Sequence, residues 1–208
     1  MKKRKTYFVT GIDTGIGKTI ISSILVESGK TDYWKPVQSG SNEITDSTTV
    51  KNLISNKVSH IHKETYLLKE PISPHAAAKK ENIEIILSNI KIPQTNNHLI
   101  VEGAGGLLVP LNQRETIMDL IKWLNIEVIM VSKNYLGSIN HTLLSLEILK
   151  TNNVPVKGII FNGEPNRETE EVIHQKTNAP ILARIDHMAE VCPHDIKRES
   201  LKLQHIWS

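Results

Sequence analysis

The chain alternates short apolar runs with longer stretches in which apolar residues recur at every third or fourth position. The apolar runs cover residues 7–9, 98–102, 127–131, 156–162 and 181–185, with a shorter run at 33–37. They are continuously apolar rather than alternating, which is typical of parallel strands that are covered on both faces. The helical spacing between them covers residues 18–28, 47–54, 83–90, 116–124, 138–150 and 168–176.

This alternation of strands and helices predicts an α/β fold, in which a parallel sheet is wound with helices on both faces. A chain of 208 residues is long enough to bury a substantial core, and we expect residues 1–208 to form a single domain. Ligands of such sheets bind beyond the carboxyl ends of the strands. Candidate chemistry is therefore expected in the residues that follow each strand.

The first strand is followed by a glycine-rich segment, GIDTGIGKT, which ends in Gly17, Lys18 and Thr19. A strand, a glycine loop and a helix in this order form a phosphate cradle, because backbone N–H groups and the helix N-terminus attract an anion. Lys18 adds a full positive charge, and the Thr19 hydroxyl is placed to hold Mg²⁺. Five residues separate Gly11 from Gly17, one more than in the common P-loop pattern, and the alternative is a chance glycine turn. We interpret the segment as a phosphate loop of the P-loop NTPase type, which predicts a nucleoside triphosphate ligand.

Three further charged residues lie at or after other predicted strands. Lys35 lies in the short run, Asp46 precedes a helix and Glu102 ends the run at 98–102. Taken singly, each has an ordinary alternative: a surface lysine, a helix N-cap and a solvated loop carboxylate. Together with Lys18 and Thr19, they place two carboxylates and two lysines along one edge of the sheet. Carboxylates suit Mg²⁺, and lysines can neutralise a phosphoryl group during transfer.

Composition narrows the classes of partner. The net charge of +3 is too small to indicate nucleic acid, and no run approaches the ~20 apolar residues of a membrane span. We interpret the basic run KKRK at 2–5 as a solvated chain end, because Asp13 breaks the following apolar stretch too early for a secretory signal. The single cysteine, Cys192, cannot form an internal disulfide. This fits a reducing cytoplasm, in which we expect a passive thiol.

Five segments of the chain resemble dethiobiotin synthetase and occur in the order found in that family. They are GIDTGIGKT at 11–19, KPVQSGS at 35–41, EPISPH at 70–75, VEGAGGLLVPL at 101–111 and LGSINH at 136–141. The first includes the extra residue that distinguishes it from the common phosphate loop. The segment at 101–106 also occurs in related amidotransferase-like synthetases, but the five in order are specific. They span roughly the first three quarters of the chain.

The resemblance implies an enzyme that joins CO₂ to 7,8-diaminopelargonic acid with ATP and Mg²⁺ and closes the ureido ring of dethiobiotin. It implies a carbamate on one amine, whose oxygen attacks the γ-phosphate. The second amine then displaces phosphate from the mixed anhydride. Such chemistry depends on charge neutralisation and positioning more than on general bases. A homodimer with a shared active site is also implied, in which the neighbouring subunit supplies the helix start near Gly137.

The resemblance also implies roles for individual residues. The implied catalytic residues are Lys18 and Lys35, and the implied Mg²⁺ ligands are Thr19, Asp46 and Glu102. The implied nucleotide contacts are Gly15, Ile16, Gly17, Lys18, Thr19, Ile20, Asp46, Glu102, Gly103, Ala104, Gly105, Asn162 and Gly163. Within that set, Asn162 is implied to read the adenine edge. The implied substrate contacts are Thr14, Ser39, Gly137, Ser138 and Asn140.

The sequence departs from the family at four places, one of which is a shorter segment before Lys35. Gly163 stands where an acidic residue is common, and Asp186 follows the last strand where the family continues into a proline. We therefore expect loose discrimination among nucleoside triphosphates. The loop between Ser41 and Asp46 is shorter than in the family, so Asp46 is the ligand whose delivery depends most on the fold.

Two other classes of protein share parts of this pattern. Partner-regulated ATPases of the division and partitioning group carry a signature lysine five residues before the loop lysine, but that position here is Asp13. A non-catalytic nucleotide-binding module would not need Lys35, Asp46 and Glu102 together. Both remain alternatives to the synthetase, and turnover that requires a diamine and CO₂ would distinguish the synthetase from either.

Overall fold

The structure is a computed structural model that describes residues 4–42, 44–188 and 190–208. Lys2 and Lys3 of the basic run, and Glu43 in the loop before Asp46, lie outside the described residues. The strands are β1 (Thr6–Gly11), β2 (Asp32–Trp34), β3 (Val37–Gln38), β4 (Ile61–His62), β5 (Tyr66–Leu67), β6 (Leu99–Glu102), β7 (Glu127–Lys133), β8 (Val156–Asn162) and β9 (Ile181–Ile185). The helices are α1 (Lys18–Gly29), α2 (Asp46–Leu53), α3 (Pro74–Lys80), α4 (Ile117–Leu124), α5 (Ser138–Thr151), α6 (Arg167–Thr177) and α7 (Pro193–Ser200), with 3₁₀ helices at Leu87–Asn89 and Leu201–Trp207.

Strand β1 lies at the centre of a seven-stranded sheet with the order β4-β2-β6-β1-β7-β8-β9. All neighbouring strands in it are parallel, and β3 and β5 form a separate parallel pair. The chain moves outward in one direction through α1 to β2, and in the other direction from β7 through α5 to β8. Because such crossovers are right-handed, these helices cover opposite faces of the sheet. The predicted α/β fold is confirmed.

The central strands are apolar along their whole length because both of their faces are covered. Phe8 and Val9 in β1 point to opposite sides of the sheet, and both are fully buried. The same holds for Ile129 and Met130 in β7. These strands contribute to a hydrophobic core that leaves the carboxyl ends of β1, β2, β6 and β8 at one edge for polar chemistry.

The predicted strand at 33–37 is in fact two strands. Strand β2 ends at Trp34, and β3 begins at Val37 in the separate strand pair. Pro36 in the connection has no N–H group to donate to a sheet ladder. The break leaves Lys35 in the connection, at the edge where ligands are expected.

The predicted helix at 83–90 is wrong. Only Leu87–Asn89 forms a helical turn, and it is a 3₁₀ turn. Ile85 and Leu87 are buried whereas Ile86 between them is exposed, which is the two-residue alternation of an extended chain. The apolar residues spaced three and four apart in this stretch therefore resembled a helix without forming one.

Helices α3 and α7 are absent from the sequence prediction. Each begins with a proline, Pro74 or Pro193, at a position where the missing N–H costs no helical hydrogen bond. Both are short, and α7 is mainly polar, with Ile196 as its buried apolar residue, so neither has a clear apolar stripe. Among the described helices, none is long and apolar enough to cross a membrane.

Candidate active site

The loop between β1 and α1 has the form of a phosphate cradle. Gly17 is the N-cap of α1 and has a φ of 91°, a left-handed conformation that glycine adopts without strain. A Cβ atom added to Gly17 would lie 2.2 Å from Nδ2 of Asn162, so a larger residue would also collide. No side chain of the described residues caps this helix, which leaves its first N–H groups for an anion. Around Gly17, Gly15 is exposed, Ile16 is buried and Ile20 is half-buried.

Lys18 is buried beside this loop. Its Nζ atom donates to the carbonyl oxygen of Asp13 at 2.8 Å. Burial lowers the pKa of Lys18 to about 8, although the charge of Glu102 acts in the opposite direction. A phosphate in the cradle would add a second counter-charge and favour the ammonium form.

Thr19, Lys35, Asp46 and Glu102 meet in one cluster at the carboxyl edge of the sheet, which we call the charged cluster. Thr19 Oγ1 lies 2.7 Å from Asp46 Oδ1 and 3.0 Å from Glu102 Oε1. Lys35 Nζ lies 2.6 Å from Asp46 Oδ2 and 3.0 Å from Glu102 Oε1. These side chains come from α1, the connection after β2, α2 and β6. The fold therefore brings together residues that are far apart in sequence.

Lys35 is not a surface lysine, Glu102 is not a solvated loop carboxylate, and Asp46 is not a helix N-cap. Lys35 and Glu102 are 4% and 1% exposed, so neither is a surface group. The N-cap of α2 is Thr45, whose side chain accepts a backbone N–H of the first turn. Asp46 is the first residue of the helix, and its own N–H donates to Gln38 Oε1 at 3.1 Å. The short loop before α2 therefore delivers the Asp46 carboxylate to the cluster.

The charges in the cluster stabilise one another. Burial opposes the charge on Lys35, but Glu102 and Asp46 outweigh it and raise the pKa of Lys35. Burial likewise opposes the charge on Asp46, but Lys35 and a hydrogen bond from Thr19 lower the pKa of Asp46. Lys35 and Asp46 therefore face each other as an ion pair.

The oxygen atoms of the charged cluster suit a magnesium ion. A hydroxyl and two carboxylates are hard ligands, and Mg²⁺ is usually bound through one or two carboxylates together with phosphate oxygens and waters. The Lys35 ammonium lies within 3.0 Å of both carboxylates, so the same oxygens already neutralise one cation. Thr19, Asp46 and Glu102 thus form a donor set that fits the metal, and their role as its ligands stays a prediction.

The glycine segment after Glu102 lies against the phosphate loop. A Cβ atom added to Gly105 would lie 3.5 Å from Thr14 Oγ1, and the carbonyl oxygen of Gly103 lies 3.3 Å from Lys35 Nζ. The predicted nucleotide contacts of this segment are Gly103, Ala104 and Gly105, of which Gly103 is buried and the other two are half-buried. They therefore share one edge with the phosphate loop.

Two predicted substrate contacts, Thr14 and Ser39, are close in sequence to Thr19 and Lys35 of the charged cluster. Thr14 is exposed on the phosphate loop, and its N–H donates to Asp13 Oδ1 at 2.7 Å. Ser39 follows β3, and its Oγ atom is buried without a hydrogen-bond partner among the described residues. A buried hydroxyl is normally paired, so Ser39 is suited to a polar ligand.

Asn162 ends β8 and contacts the phosphate loop directly. Its Nδ2 atom donates to the carbonyl oxygen of Ile16 at 2.7 Å, so the residue predicted to read adenine also holds the loop. Gly163 next to it is half-buried and has a φ of 99°. Asp186 follows β9, is exposed, and lies 3.3 Å from Lys202 Nζ. The adenine contact of Asn162 stays a prediction.

The predicted substrate contacts at the start of α5 lie in a more open setting. Gly137 is the N-cap, with a φ of 105°, and no side chain among the described residues caps the helix. Ser138 does not cap it, because its buried Oγ accepts the Tyr135 N–H and its own N–H donates to the Tyr135 carbonyl. Asn140 and Gly137 are exposed, and Leu136 before them is fully exposed. This helix start presents backbone groups and an amide rather than a charge.

Two residues of the site are missing from the sequence prediction. Tyr33, in β2, donates its hydroxyl to Glu102 Oε2 at 3.0 Å, and burial together with the charge of Glu102 raises its pKa. Gln38, in β3, accepts the Asp46 N–H. Both act on a charged residue from a neighbouring element, so no local sequence pattern reveals them.

Comparison with known proteins identifies relatives along nearly the whole chain. A protein-family model described as "AAA domain" matches residues 5–195. The chain is 48% identical to the ATP-dependent dethiobiotin synthetase BioD of Cytophaga hutchinsonii, over 98% of both chains. It is 50% identical to the BioD of Christiangramia forsetii, over 88% of this chain and 87% of that protein. The BioD of Lawsonia intracellularis is 45% identical over 89% of each chain.

Solved structures with a similar fold are more distant in sequence. The septum site-determining protein MinD complexed with Mg-ADP from Pyrococcus horikoshii has a TM-score of 0.59 and 16% identity, covering 97% of this chain and 95% of that one. A ParA family ATPase from Chlorobium tepidum has a TM-score of 0.58 and 13% identity, and the match covers 98% of this chain and 92% of that one. These likenesses confirm the P-loop fold and nothing further. The sequence likeness to the named synthetases is far greater, and the chain belongs to the family of ATP-dependent dethiobiotin synthetases.

Proposed function

We propose that this protein forms dethiobiotin from 7,8-diaminopelargonic acid, CO₂ and ATP, with Mg²⁺ as the metal. One amine and CO₂ form a carbamate. A carbamate oxygen attacks the γ-phosphorus of ATP, giving a carbamic-phosphoric mixed anhydride and ADP. The second amine attacks the carbonyl carbon, phosphate leaves, and the ureido ring closes.

The charged cluster beside the phosphate cradle is the observation that carries this proposal. Synthesis by phosphoryl transfer needs charge neutralisation at the reacting oxygens, and Lys35 lies 4% exposed in the cluster. A module that only binds nucleotide would have no need for this buried ammonium beside two carboxylates. The Ser39 hydroxyl, which has no hydrogen-bond partner among the described residues, would add a polar contact of the kind a diamine or carbamate requires.

In this mechanism the two lysines have different tasks. Lys18 extends from the start of α1 along the phosphate loop, where it would bind the β- and γ-phosphates. Lys35 would contact the carbamate and the γ-phosphate, where negative charge changes during transfer. To reach them, its ammonium would exchange one of its three partners among the described residues, which are the carboxylates of Asp46 and Glu102 and the carbonyl oxygen of Gly103, for a substrate oxygen.

Thr19, Asp46 and Glu102 would hold the magnesium ion. When bound, Mg²⁺ neutralises charge on the phosphate oxygens and favours transfer of the γ-phosphoryl group. The protein residues then orient the nucleotide, and the buried setting of Glu102 keeps its carboxylate aimed at the edge of the sheet.

We also propose a homodimer in which the start of α5 from one subunit completes the site of the other. The exposed Leu136, Ile139 and Leu144 support an apolar contact along this region. The helix N-terminus and Asn140 would bind the carboxylate of the substrate. A cytoplasmic location fits a chain with one cysteine.

The proposed reaction can be tested directly with the purified protein. It is mixed with 7,8-diaminopelargonic acid, ¹³C-bicarbonate, Mg²⁺ and ATP, and the product is followed by mass spectrometry. We expect dethiobiotin with the label in its ureido carbonyl and one ADP for each ring closed. ATP hydrolysis that is independent of the diamine, with no labelled product, would contradict the proposal and favour a switch ATPase.

A further inference from the structure

Tyr33 connects the hydrophobic core to the charged cluster. Its side chain is fully buried in β2, and its hydroxyl donates to Glu102 Oε2 at 3.0 Å. Strand β2 pairs directly with β6 in parallel register. The phenol therefore reaches Glu102 from a neighbouring strand whose position the sheet determines.

The two oxygens of Glu102 have separate partners. Oε1 accepts from Lys35 at 3.0 Å and lies 3.0 Å from Thr19 Oγ1, whereas Oε2 accepts from Tyr33. The last carboxylate torsion of a glutamate is broad and roughly two-fold, so an untethered carboxylate can turn. A hydrogen bond to Oε2 restricts that rotation and keeps Oε1 directed at Thr19 and Lys35.

We propose that Tyr33 is a positioning residue for the metal site, holding the Glu102 carboxylate in the orientation in which it would bind Mg²⁺. The inference rests on the proposed function, because that function makes Glu102 a metal ligand. Partners that orient a metal ligand typically affect metal affinity by about 10–100-fold. Tyr33 contacts neither nucleotide nor diamine in this scheme, so its effect should be confined to the metal.

A simpler role for Tyr33 is to fill the core. The substitution Tyr33→Phe separates the two roles, because it keeps the buried ring and removes only the hydroxyl. Tyr7→Phe is the matched control. Tyr7 is 3% exposed in β1 of the same sheet, but its ring packs on Trp207 with centroids 5.5 Å apart, away from the charged cluster.

The experiment measures metal and nucleotide binding separately. Mn²⁺ serves as the probe for the metal site, and free Mn²⁺ is quantified by electron paramagnetic resonance in the presence of saturating ADP. ADP affinity without metal is measured by calorimetry in EDTA. For Tyr33→Phe we expect Mn²⁺ affinity to fall by about tenfold or more, while ADP affinity in EDTA stays within twofold and Tyr7→Phe matches the parent in both.

Two outcomes would overturn the inference. Mn²⁺ affinity within twofold of the parent would show that the hydroxyl does not orient the ligand. Equal losses of Mn²⁺ and metal-free ADP affinity would show a general structural role. The parent protein is assayed for dethiobiotin in parallel, so that a parent without this activity refutes the proposed function, whereas an active parent beside an unaffected Tyr33→Phe refutes only the inference.

Discussion

The charged cluster and the start of α5 are both predicted to bind ligands, yet they are built in opposite ways. In the cluster, Lys35 and Glu102 are almost completely buried and contact each other within one chain. At the start of α5, Gly137 and Asn140 are exposed. Burial, with a smaller contribution from the charge of Asp13 in the phosphate loop, raises the pKa of Tyr135 in the same segment.

The difference distinguishes a site that one chain organises before any ligand binds from a site that needs a ligand or a second subunit. Burying an ammonium and two carboxylates is costly unless they are paired, so the cluster must be organised before any ligand arrives. Exposed backbone groups at a helix start carry no such penalty, because water satisfies them. Their role therefore depends on a ligand or a second subunit, and substitutions should have smaller effects there than in the cluster.

The largest effect is expected from Lys35→Ala. Loss of one charge-stabilising donor at the reacting centre should cost ~2–4 kcal/mol of transition-state stabilisation, mostly in kcat with saturating substrates. Lys18→Ala should weaken nucleotide binding as well as turnover, and the exposed Lys57→Ala is a control. A near-normal kcat for Lys35→Ala would refute its catalytic role.

The second-largest effect is expected when the predicted carboxylate ligands of the metal are substituted. Glu102→Gln keeps the shape of the side chain and removes its charge, so the Mg²⁺ concentration for half-maximal activity should rise by at least about tenfold, the lower range for residues around a metal. Asp46→Asn should also raise the Mg²⁺ concentration for half-maximal activity. The exposed Glu84→Gln should leave the Mg²⁺ titration unchanged.

Asp46, unlike Glu102, has a second role that could explain its position in the cluster. If Asp46→Asn titrates with Mg²⁺ like the parent, its carboxylate serves instead to neutralise Lys35 and to complement the N-terminus of α2. In that case the same variant should alter stability without altering the metal dependence, which thermal unfolding with and without Mg²⁺ would show.

The charged residues of the cluster could be predicted from the sequence because parallel strands end at a common edge. Glu102 ends an apolar run and Lys35 lies within the short run at 33–37, so the expected edge of the sheet places both near the phosphate loop. Tyr33 could not be predicted in this way, since it reads as an ordinary aromatic residue of a buried strand. Its hydrogen bond to Glu102 joins residues 69 positions apart and depends on β2 and β6 being neighbours.

The errors in secondary structure have a similar cause. At 83–90 the apolar spacing suits a helix, but residues 83–86 form no helix and Leu87–Asn89 forms only a 3₁₀ turn, with Ile85 and Leu87 buried. Tertiary contacts outweigh local periodicity there. In α3 and α7 the informative signal is the proline at the first position, which a search for apolar stripes overlooks.

A smaller effect is expected for the choice of nucleotide. Gly163 has no side chain, and Asp186 is exposed and paired with Lys202, so few side chains are placed to read the base. We expect kcat/KM for ATP, CTP and GTP to lie within about tenfold, or about 1.4 kcal/mol. A strong preference for ATP would show that backbone groups near Asn162 are sufficient for selection.

The smallest effect is expected at the start of α5. Asn140→Ala should remove one hydrogen bond to the substrate carboxylate at an exposed position, so the KM for the diamine should rise a few-fold while the KM for ATP stays unchanged. Gly137→Val should act more strongly, because valine is strained at a φ of 105°.

Mixing two impaired variants, at a diamine concentration at which each alone is slow, decides which subunit supplies this helix start. If it completes the neighbouring site, a dimer of Lys35→Ala with Gly137→Val contains one site in which both parts are intact, and mixing restores activity. If the helix start serves the site of its own chain, every site retains one defect and mixing restores nothing. A protein that is monomeric by light scattering at the assay concentration and fully active would exclude the shared site. In that case the start of α5 would bind the substrate carboxylate within its own chain.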